Sequence, residues 1–239
     1  MPPSSAGGGY RGFMTLYATQ GAGIVFTTEG YQSGGSYFLQ WQTNTQTHDG
    51  YPGYRTDQIL PISKFASFAN VTLIHIGTND MIQSLKNGTI TPSSAFANLQ
   101  QIVTNVLQQN SKTQIIIAQI IPVVKPVTGY TDYTAANTNI NTYNSYITSS
   151  AFPTSISIVN MNNLLNPSTD YSPDGVHPNY SGYQKMACKW IQEITGISQG
   201  PCLQLSTDSE NQMPTKYNES LATPSKIQID ALLTGQPII

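Results

Sequence analysis

The segment from Val71 to Ile76 is dominated by apolar side chains and ends directly at Gly77. An apolar run of this kind, without polar alternation, is typical of a strand that is buried on both faces of a parallel sheet. Neighbouring parallel strands are joined by crossover segments, usually helices, which cover the faces of the sheet. This one segment therefore favours an α/β fold.

The rest of the chain alternates between strand-like and helix-like patterns and has no internal repeat. This alternation predicts a flavodoxin-like, three-layer α/β domain, a parallel sheet with helices on both faces. We assign residues 1–200 to this domain and expect 201–239 to be a polar, loosely ordered tail. Further strands are predicted at 24–26, 115–117 with 120–121, and 156–159, and helices at 10–20, 56–68 with a kink at Pro61, from Thr91 onwards, around 140–147, and at 183–194.

Two short motifs carry residue types suited to catalysis. Gly77-Thr78-Asn79-Asp80 follows the carboxyl end of the first predicted core strand, the edge at which open α/β sheets bind ligands. Asp174-Gly175-Val176-His177-Pro178 places a carboxylate and an imidazole three residues apart in a turn-rich loop, so that the acid can orient the base. An amide donor for an oxyanion, together with a base–acid pair, is the equipment of an acyl-transfer hydrolase.

These motifs resemble those of the SGNH (GDSL-type) hydrolase family, and other segments extend the resemblance. His48–Ile59, HDGYPGYRTDQI, is similar to the family's second block in its carbohydrate acetylesterase branch. Gly8–Gly12, GGYRG, is similar to the segment that follows the family's Gly-Asp-Ser turn. The last motif and the residues after it, through Met186-Ala187, are similar to the family's final block. The four blocks occur in the family's order over roughly residues 8–195.

The resemblance implies a sheet with the strand order 2-1-3-4-5 and the chemistry of a serine esterase. His177 would take the proton of the nucleophile, and Asp174 would fix the tautomer of His177. Asn79 would donate a side-chain N–H, and Gly53 a backbone N–H, to the developing oxyanion. Each residue also has an ordinary alternative, because Asn and Gly commonly form turns and an isolated Asp-Gly-x-His loop is more often a solvated turn. The ordered occurrence of all four blocks favours the site.

The family's first strand and its Gly-Asp-Ser turn are not found in this sequence. Ser4 and Ser5 are the only serines near the expected position, and no apolar strand precedes them. We therefore expect the chain as given to be inactive and interpret it as an incomplete copy of an active protein. Because the absent strand would lie between the second and third strands, its loss predicts unpaired central edges on 24–26 and 71–76.

Three functions are open at this stage. The favoured one is a serine esterase that removes short acyl groups, above all acetyl, from carbohydrate, and its substrate rests on the resemblance alone. The alternative is a catalytically inactive carbohydrate-binding relative. A lipid or thioester hydrolase on the same fold is disfavoured, because no segment resembles a large apolar lid.

Composition limits the partners. Only 9% of the residues are charged, the net charge is -2 and there is no basic run, which argues against nucleic acid or an anionic membrane as partner. The three histidines and two cysteines have no metal-ligand spacing and no phosphate-binding loop is found, so no metal or cofactor is expected. We expect a monomer that acts outside the cell on a small-molecule or carbohydrate ester, although no signal peptide is present at Met1.

Cys188 and Cys202 flank the end of the last predicted helix. They either form one bridge in an oxidising compartment or remain thiols, one buried and one exposed. Among the other polar residues, Asp80 is expected to brace its loop and His75 to be a hydrogen-bonded core histidine. His48-Asp49 either contacts substrate or makes hydrogen bonds within its loop.

Overall fold

The computed structural model describes residues 9–22, 24–33, 47–65, 69–127, 132–150, 152–153, 156–197, 202 and 226–230. In chain order, these residues form α1 (Tyr10–Gly21), β1 (Val25–Glu29), β2 (Gln32–Ser33), β3 (Thr47–His48), α2 (Thr56–Ile59), a 3-10 helix (Ile62–Phe65), β4 (Val71–Ile74), α3 (Thr78–Gln83), α4 (Pro92–Gln109), β5 (Gln114–Ala118), α5 (Tyr133–Ser149), β6 (Ile156–Val159), α6 (Tyr180–Thr195) and β7 (Lys226–Asp230).

The main sheet has five strands in the order β1-β7-β4-β5-β6, and all its pairs are parallel. The short strands β2 and β3 form a separate antiparallel pair. If β7 is counted as the first strand, this is the predicted order 2-1-3-4-5. The fold class predicted from the sequence is therefore confirmed.

The centre of the sheet differs from the prediction. β7 lies between β1 and β4, so that Val25 pairs with Lys226 and Val71 pairs with Ile229. The expectation of unpaired central edges on 24–26 and 71–76 is therefore wrong at Val25 and Phe26 and at Val71 and Thr72. An unpaired central edge leaves a row of backbone donors and acceptors unsatisfied, and β7, a segment for which no strand was predicted, supplies the missing partners.

Two apolar clusters, one on each face of the sheet, make up the core. On one face Phe13 of α1 and Trp190 of α6 are buried in one cluster, and on the other face Leu99 of α4 and Ile140 of α5 are buried in the second. The residues of β5 alternate between them, since Ile115 and Ile117 belong to the cluster with α4 and α5, and Ile116 to the other. Burial on both faces explains why the strand sequences are continuously apolar.

Local signals explain where α4 begins and why the helix predicted over 56–68 is interrupted. Thr91 caps α4 by accepting a hydrogen bond from the backbone N–H of Ser94, and Pro92 occupies the first turn.

The prediction of one kinked helix over 56–68 is wrong, because α2 ends at Ile59 and a 3-10 helix starts at Ile62. Pro61 has no backbone N–H with which to continue the helix, although Leu60 before it is still in the helical region. Residues 66–68 lie outside the described part of the chain.

The two cysteines are joined by a disulfide. Cys188 lies in α6, and its Cα is 5.4 Å from that of Cys202. The bridge fixes Cys202, which follows α6 in the chain, to the helix itself. Within the described ranges, no helix is both long and apolar enough to cross a membrane.

Candidate active site

The side chains of Asp174 and His177 are hydrogen-bonded to each other. Nδ1 of His177 lies 2.9 Å from Oδ2 of Asp174, while Oδ1 of Asp174 accepts the backbone N–H groups of Val176 and His177. Burial alone would raise the pKa of Asp174, but the hydrogen bonds from His177 and Val176 lower it below its usual range. An ionised carboxylate on Nδ1 keeps the proton there and leaves Nε2 of His177 as the basic atom.

The loop around this pair is held in one conformation by backbone contacts. The N–H of Ser172 donates to the carbonyl of His177 at 2.8 Å, and the N–H of Val124, beyond the end of β5, donates to the carbonyl of Gly175 at 2.8 Å. Gly175 has a φ of 73°, and a Cβ there would lie 2.5 Å from Cβ of Lys125. A glycine is therefore required for this close approach.

A buried carboxylate that the sequence analysis missed supports the same loop. Asp170 accepts hydrogen bonds from Nζ of Lys185 at 2.5 Å, Oγ of Ser181 at 2.9 Å and the N–H of Asn166 at 2.6 Å. Burial opposes ionisation, but these donors lower the pKa of Asp170. Its carbonyl accepts the N–H of Asn179, the residue that caps α6. The only sequence signal was the spacing of Ser181 and Lys185 along one face of α6.

Asn79 is hydrogen-bonded to the loop that carries Gly53. Asn79 is in the first turn of α3, is only 3% exposed, and its Nδ2 donates to the carbonyl of Tyr54 at 2.9 Å. Gly77, just before it, has a φ of 124°, and a Cβ there would lie 2.6 Å from the ring of Tyr143. Gly53 also has a positive φ, 77°. Both glycines occupy conformations that residues with a Cβ rarely adopt.

Asp80 joins α3 to the loop that carries Gly53. Its carboxylate accepts the backbone N–H of Thr56 at 3.0 Å and the hydroxyl of Thr56 at 2.6 Å. Burial raises the pKa of Asp80 to about 6 even though Thr56 donates to it. Asn98 of α4 donates in turn to the Thr56 hydroxyl at 3.1 Å. This arrangement agrees with the expected bracing role of Asp80.

Sheet topology places both pairs at the same edge. Asn79 follows the carboxyl end of β4, and the loop of His177 is bonded to Val124 beyond the carboxyl end of β5. β4 and β5 are adjacent and parallel. Within the described part of the chain, no serine hydroxyl is hydrogen-bonded to the ring of His177. Ser4 and Ser5 lie outside the described residues.

The remaining polar candidates have structural surroundings. His75 is buried, burial lowers its pKa to about 4, and its Nε2 has no hydrogen-bond partner among the described residues, so the expectation of a hydrogen-bonded core histidine is wrong at that atom. Nδ1 of His48 accepts the N–H of Gly50, and Asp49 accepts the N–H of Tyr31. The side chains of His48 and Asp49 therefore make hydrogen bonds to nearby backbone N–H groups, which was the second of the two alternatives. Among the described residues, no group of three or more His, Cys, Asp or Glu could hold a metal ion.

The parallel sheet, with its polar residues at the carboxyl ends of the strands, defines the class of the protein. It is a flavodoxin-like α/β protein, and such proteins bind ligands at this edge of the sheet. The model of the GDSL-like lipase/acylhydrolase family matches residues 18–185, more than half of the chain, and the chain belongs to this family of SGNH hydrolases. No curated protein sequence matches the chain significantly.

Solved structures with a similar fold include three esterases. A carbohydrate esterase of family 3 from Talaromyces cellulolyticus has a TM-score of 0.61 at 16% identity, covering 78% of this chain and 89% of its own. A family 3 carbohydrate esterase from Clostridium thermocellum has a TM-score of 0.55 at 22% identity, covering 79% and 88%. An acetyl esterase, crystallised as a serine-to-alanine mutant with an acetate ion, has a TM-score of 0.60 at 16% identity, covering 78% and 92%. At these identities the likeness shows the fold alone.

Proposed function

We propose that the site is that of a serine esterase that hydrolyses short acyl esters, above all acetyl esters, on carbohydrate. The proposal rests on one observation, the 2.9 Å contact between Nδ1 of His177 and Oδ2 of Asp174 at the carboxyl edge of the sheet. An imidazole oriented by a carboxylate is the general base that activates a serine hydroxyl. Membership of the GDSL-like lipase/acylhydrolase family supports acyl transfer as the reaction.

In the proposed reaction, Nε2 of His177 takes the proton of the nucleophilic hydroxyl as the serine oxygen attacks the ester carbonyl. The same proton then passes to the sugar oxygen as it leaves, and water releases the acyl group as a carboxylic acid. Proton transfer of this kind contributes roughly 10²–10⁴-fold to the rate. Asp174 stabilises the imidazolium that forms in between.

Asn79 and Gly53 are the proposed oxyanion donors. The carbonyl oxygen becomes negatively charged in the tetrahedral intermediate, and one well-placed N–H donor stabilises it by about 3 kcal/mol. The hydrogen bond from the amide of Asn79 to the carbonyl of Tyr54, the residue after Gly53, supports this pairing of donors. Their preorganisation costs nothing at the moment of reaction.

The acyl group and the sugar are the finer part of the proposal. One structural neighbour is named an acetyl esterase and was crystallised with acetate, and two are named carbohydrate esterases. These names support a short acyl group and a sugar alcohol. We also propose an extracellular monomer, and the disulfide between Cys188 and Cys202 is consistent with an oxidising compartment.

A second candidate is a catalytically inactive, carbohydrate-binding relative. It is favoured by the observation that no serine hydroxyl in the described part of the chain contacts the ring of His177. In a serine hydrolase the loss of the nucleophile lowers kcat about 10⁶-fold. We therefore propose that no serine of this chain is placed as the nucleophile.

The two candidates are separated by acetate release from acetylated xylan, measured for two proteins. The first is the chain as given, which should release no more acetate than its own His177→Ala variant. The second carries a family-type strand ending in Gly-Asp-Ser before Met1 and lacks residues 203–239, so that the central position of the sheet is open to the new strand. Acetate release by this fusion, lost on His177→Ala, would support the esterase.

A fusion that folds cooperatively and binds oligosaccharide but releases no acetate would support the inactive relative. Labelling of Ser4 or Ser5 in the chain as given by a fluorophosphonate probe would contradict the proposed absence of a nucleophile.

A further inference from the structure

Three tyrosines form a partly exposed cluster beside the proposed oxyanion donors. The rings of Tyr51 and Tyr54 are stacked, with centroids 5.2 Å apart and an angle of 28° between their planes. Tyr54 is 38% exposed and Tyr31 is 70% exposed. Large aromatic side chains that reach solvent next to a catalytic edge are unusual enough to require an explanation, because each leaves apolar area in water. We call Tyr31, Tyr51 and Tyr54 the tyrosine cluster.

The backbone holds the cluster in place. Tyr31 precedes β2, which pairs with β3, and its N–H donates to Oδ1 of Asp49 at 2.9 Å. The turn between the other two is closed by the N–H of Tyr54, which donates to the carbonyl of Tyr51 at 3.2 Å. Because these contacts fix the backbone before any ligand arrives, little ordering would be lost on binding.

Planar polar side chains lie among the rings. The hydroxyl of Tyr51 lies close to the carboxylate of Asp49 and to the side chain of Gln32. Burial raises the pKa of both Asp49 and Tyr51. The surface therefore presents aromatic faces together with the amide of Gln32 and the phenol groups of the tyrosines, which can donate and accept hydrogen bonds. Asp49 itself is only 1% exposed.

The tyrosine cluster is continuous with the proposed site. Tyr54 is adjacent to Gly53, and its carbonyl accepts the amide of Asn79. Asp80 fixes this loop to α3 through Thr56. A ligand whose acyl group lies at Gly53 and Asn79 would therefore place its alcohol portion within reach of the cluster.

We propose that the tyrosine cluster is the sugar subsite of this protein, and that it binds a pyranose ring by stacking on Tyr54 and Tyr31. This inference rests on the proposed function, since it names the residues that recognise the alcohol portion of the ester. A pyranose has an apolar C–H face that matches an aromatic ring by dispersion, and hydroxyl groups on its rim that match Gln32 and the phenol groups of the tyrosine cluster. An acyl chain of a lipid would leave those polar groups without partners, which is costly.

The test measures binding rather than turnover, so that it needs no nucleophile. Isothermal titration of the full 239-residue chain with xylohexaose and with cellohexaose should give saturable binding to at least one of them. Tyr54→Ala and Tyr31→Ala should each weaken that binding about tenfold, as expected for the loss of one aromatic contact. Tyr54→Phe, which keeps the ring, should bind within about twofold of the unchanged protein.

Tyr146 provides the matched control. It is 36% exposed, close to the value for Tyr54, but it lies in α5 and packs against Phe96 of α4. Tyr146→Ala should leave the affinity unchanged. Tyr31→Ala keeps the test valid if Tyr54→Ala fails to fold, because a side chain that is 70% exposed contributes little to the core.

The outcomes separate this inference from the proposed function. Unchanged affinity in Tyr31→Ala and Tyr54→Ala, or no binding of either hexasaccharide, would overturn the sugar subsite. Acetate release from simple esters by the fusion protein, without oligosaccharide binding, would overturn the subsite and leave the esterase standing. Tyrosine-dependent binding with no acetate release from the fusion would support the sugar subsite and overturn the esterase.

Discussion

The carboxylate of Asp80 accepts both the backbone N–H and the hydroxyl of Thr56. One buried acid therefore connects the two segments that carry the proposed oxyanion donors, since Asn79 precedes Asp80 and Gly53 lies three residues before Thr56. Whatever displaces Asp80 should also displace both donors relative to each other.

This contact predicts an unusual pH dependence of stability. The pKa of Asp80 is raised from 3.8 to about 6, so the folded protein binds a proton here more readily than the unfolded chain does. Stability contributed by the protonated acid is therefore full below pH 4 and is lost as the pH rises through 6. At pH 7 the difference amounts to roughly 3 kcal/mol.

Asp80→Asn, whose side chain is neutral at every pH, should not show this loss of stability. Urea unfolding of both proteins at pH 4, 5, 6 and 7 measures the free energy of unfolding that decides the question. The free energy of unfolding of Asp80→Asn, relative to the unchanged protein, should rise between pH 4 and 7. Parallel curves would show that the carboxylate ionises without cost.

The second prediction concerns β7. Gln228 lies in the middle of this strand and is paired with Thr27 of β1. Gln228→Pro removes a backbone N–H from the centre of the sheet and should lower the free energy of unfolding by about 3 kcal/mol or more. Gln228→Thr keeps the N–H and serves as the control. If Gln228→Pro unfolds at the same urea concentration as the control, residues 226–230 are not a strand of the sheet.

The third prediction concerns the base and its acid, in the fusion protein that carries a Gly-Asp-Ser strand. His177→Ala should remove most of the acetate release, because an unassisted serine is a poor nucleophile at neutral pH. Asp174→Asn should reduce kcat by an intermediate factor, since the role we propose for Asp174 is to orient the base. Both proteins should keep the affinity of the parent for xylohexaose. A fusion in which Asp174→Asn has full activity would remove Asp174 from the mechanism.

The fourth prediction concerns the disulfide. Cys188 and Cys202 are 14 residues apart, and closing a loop of about 15 residues stabilises a protein by about 3 kcal/mol in the chain-entropy model. Dithiothreitol should therefore lower the Tm of the unchanged protein to that of the Cys188→Ser, Cys202→Ser double variant. The double variant should not respond to the reductant. A response of equal size in both proteins would mean that the reductant acts elsewhere.

The elements that the sequence predicted well are those determined by nearby residues. α4 is an example, because Thr91 and Pro92 specify its start and an apolar stripe specifies its buried face. The hydrogen bond between Asp174 and His177 is another, since a single turn brings the two together. Their roles in catalysis stay predictions until the variants are measured.

The features that were missed depend on residues far apart in the chain. β7 has only five residues in a largely polar segment, and its partners β1 and β4 precede it by more than a hundred residues. The contacts of Asp170 with Lys185 and Ser181 become apparent only when α6 is docked beside the loop. Local patterns do not encode such contacts, because the energy that favours them comes from tertiary burial.

The position of β7 also has a consequence for how the protein is made. A ribosome delivers β1, β4, β5 and β6 before Lys226–Asp230 emerges, so among the described strands β1 gains its main-sheet neighbour, β7, last. The edges of β1 and β4 that face β7 must be kept from pairing with other chains until β7 is synthesised. Closure of the sheet is therefore a late event of high contact order. We therefore expect folding during expression to depend on chaperones, because these strand edges stay unpaired until β7 is synthesised.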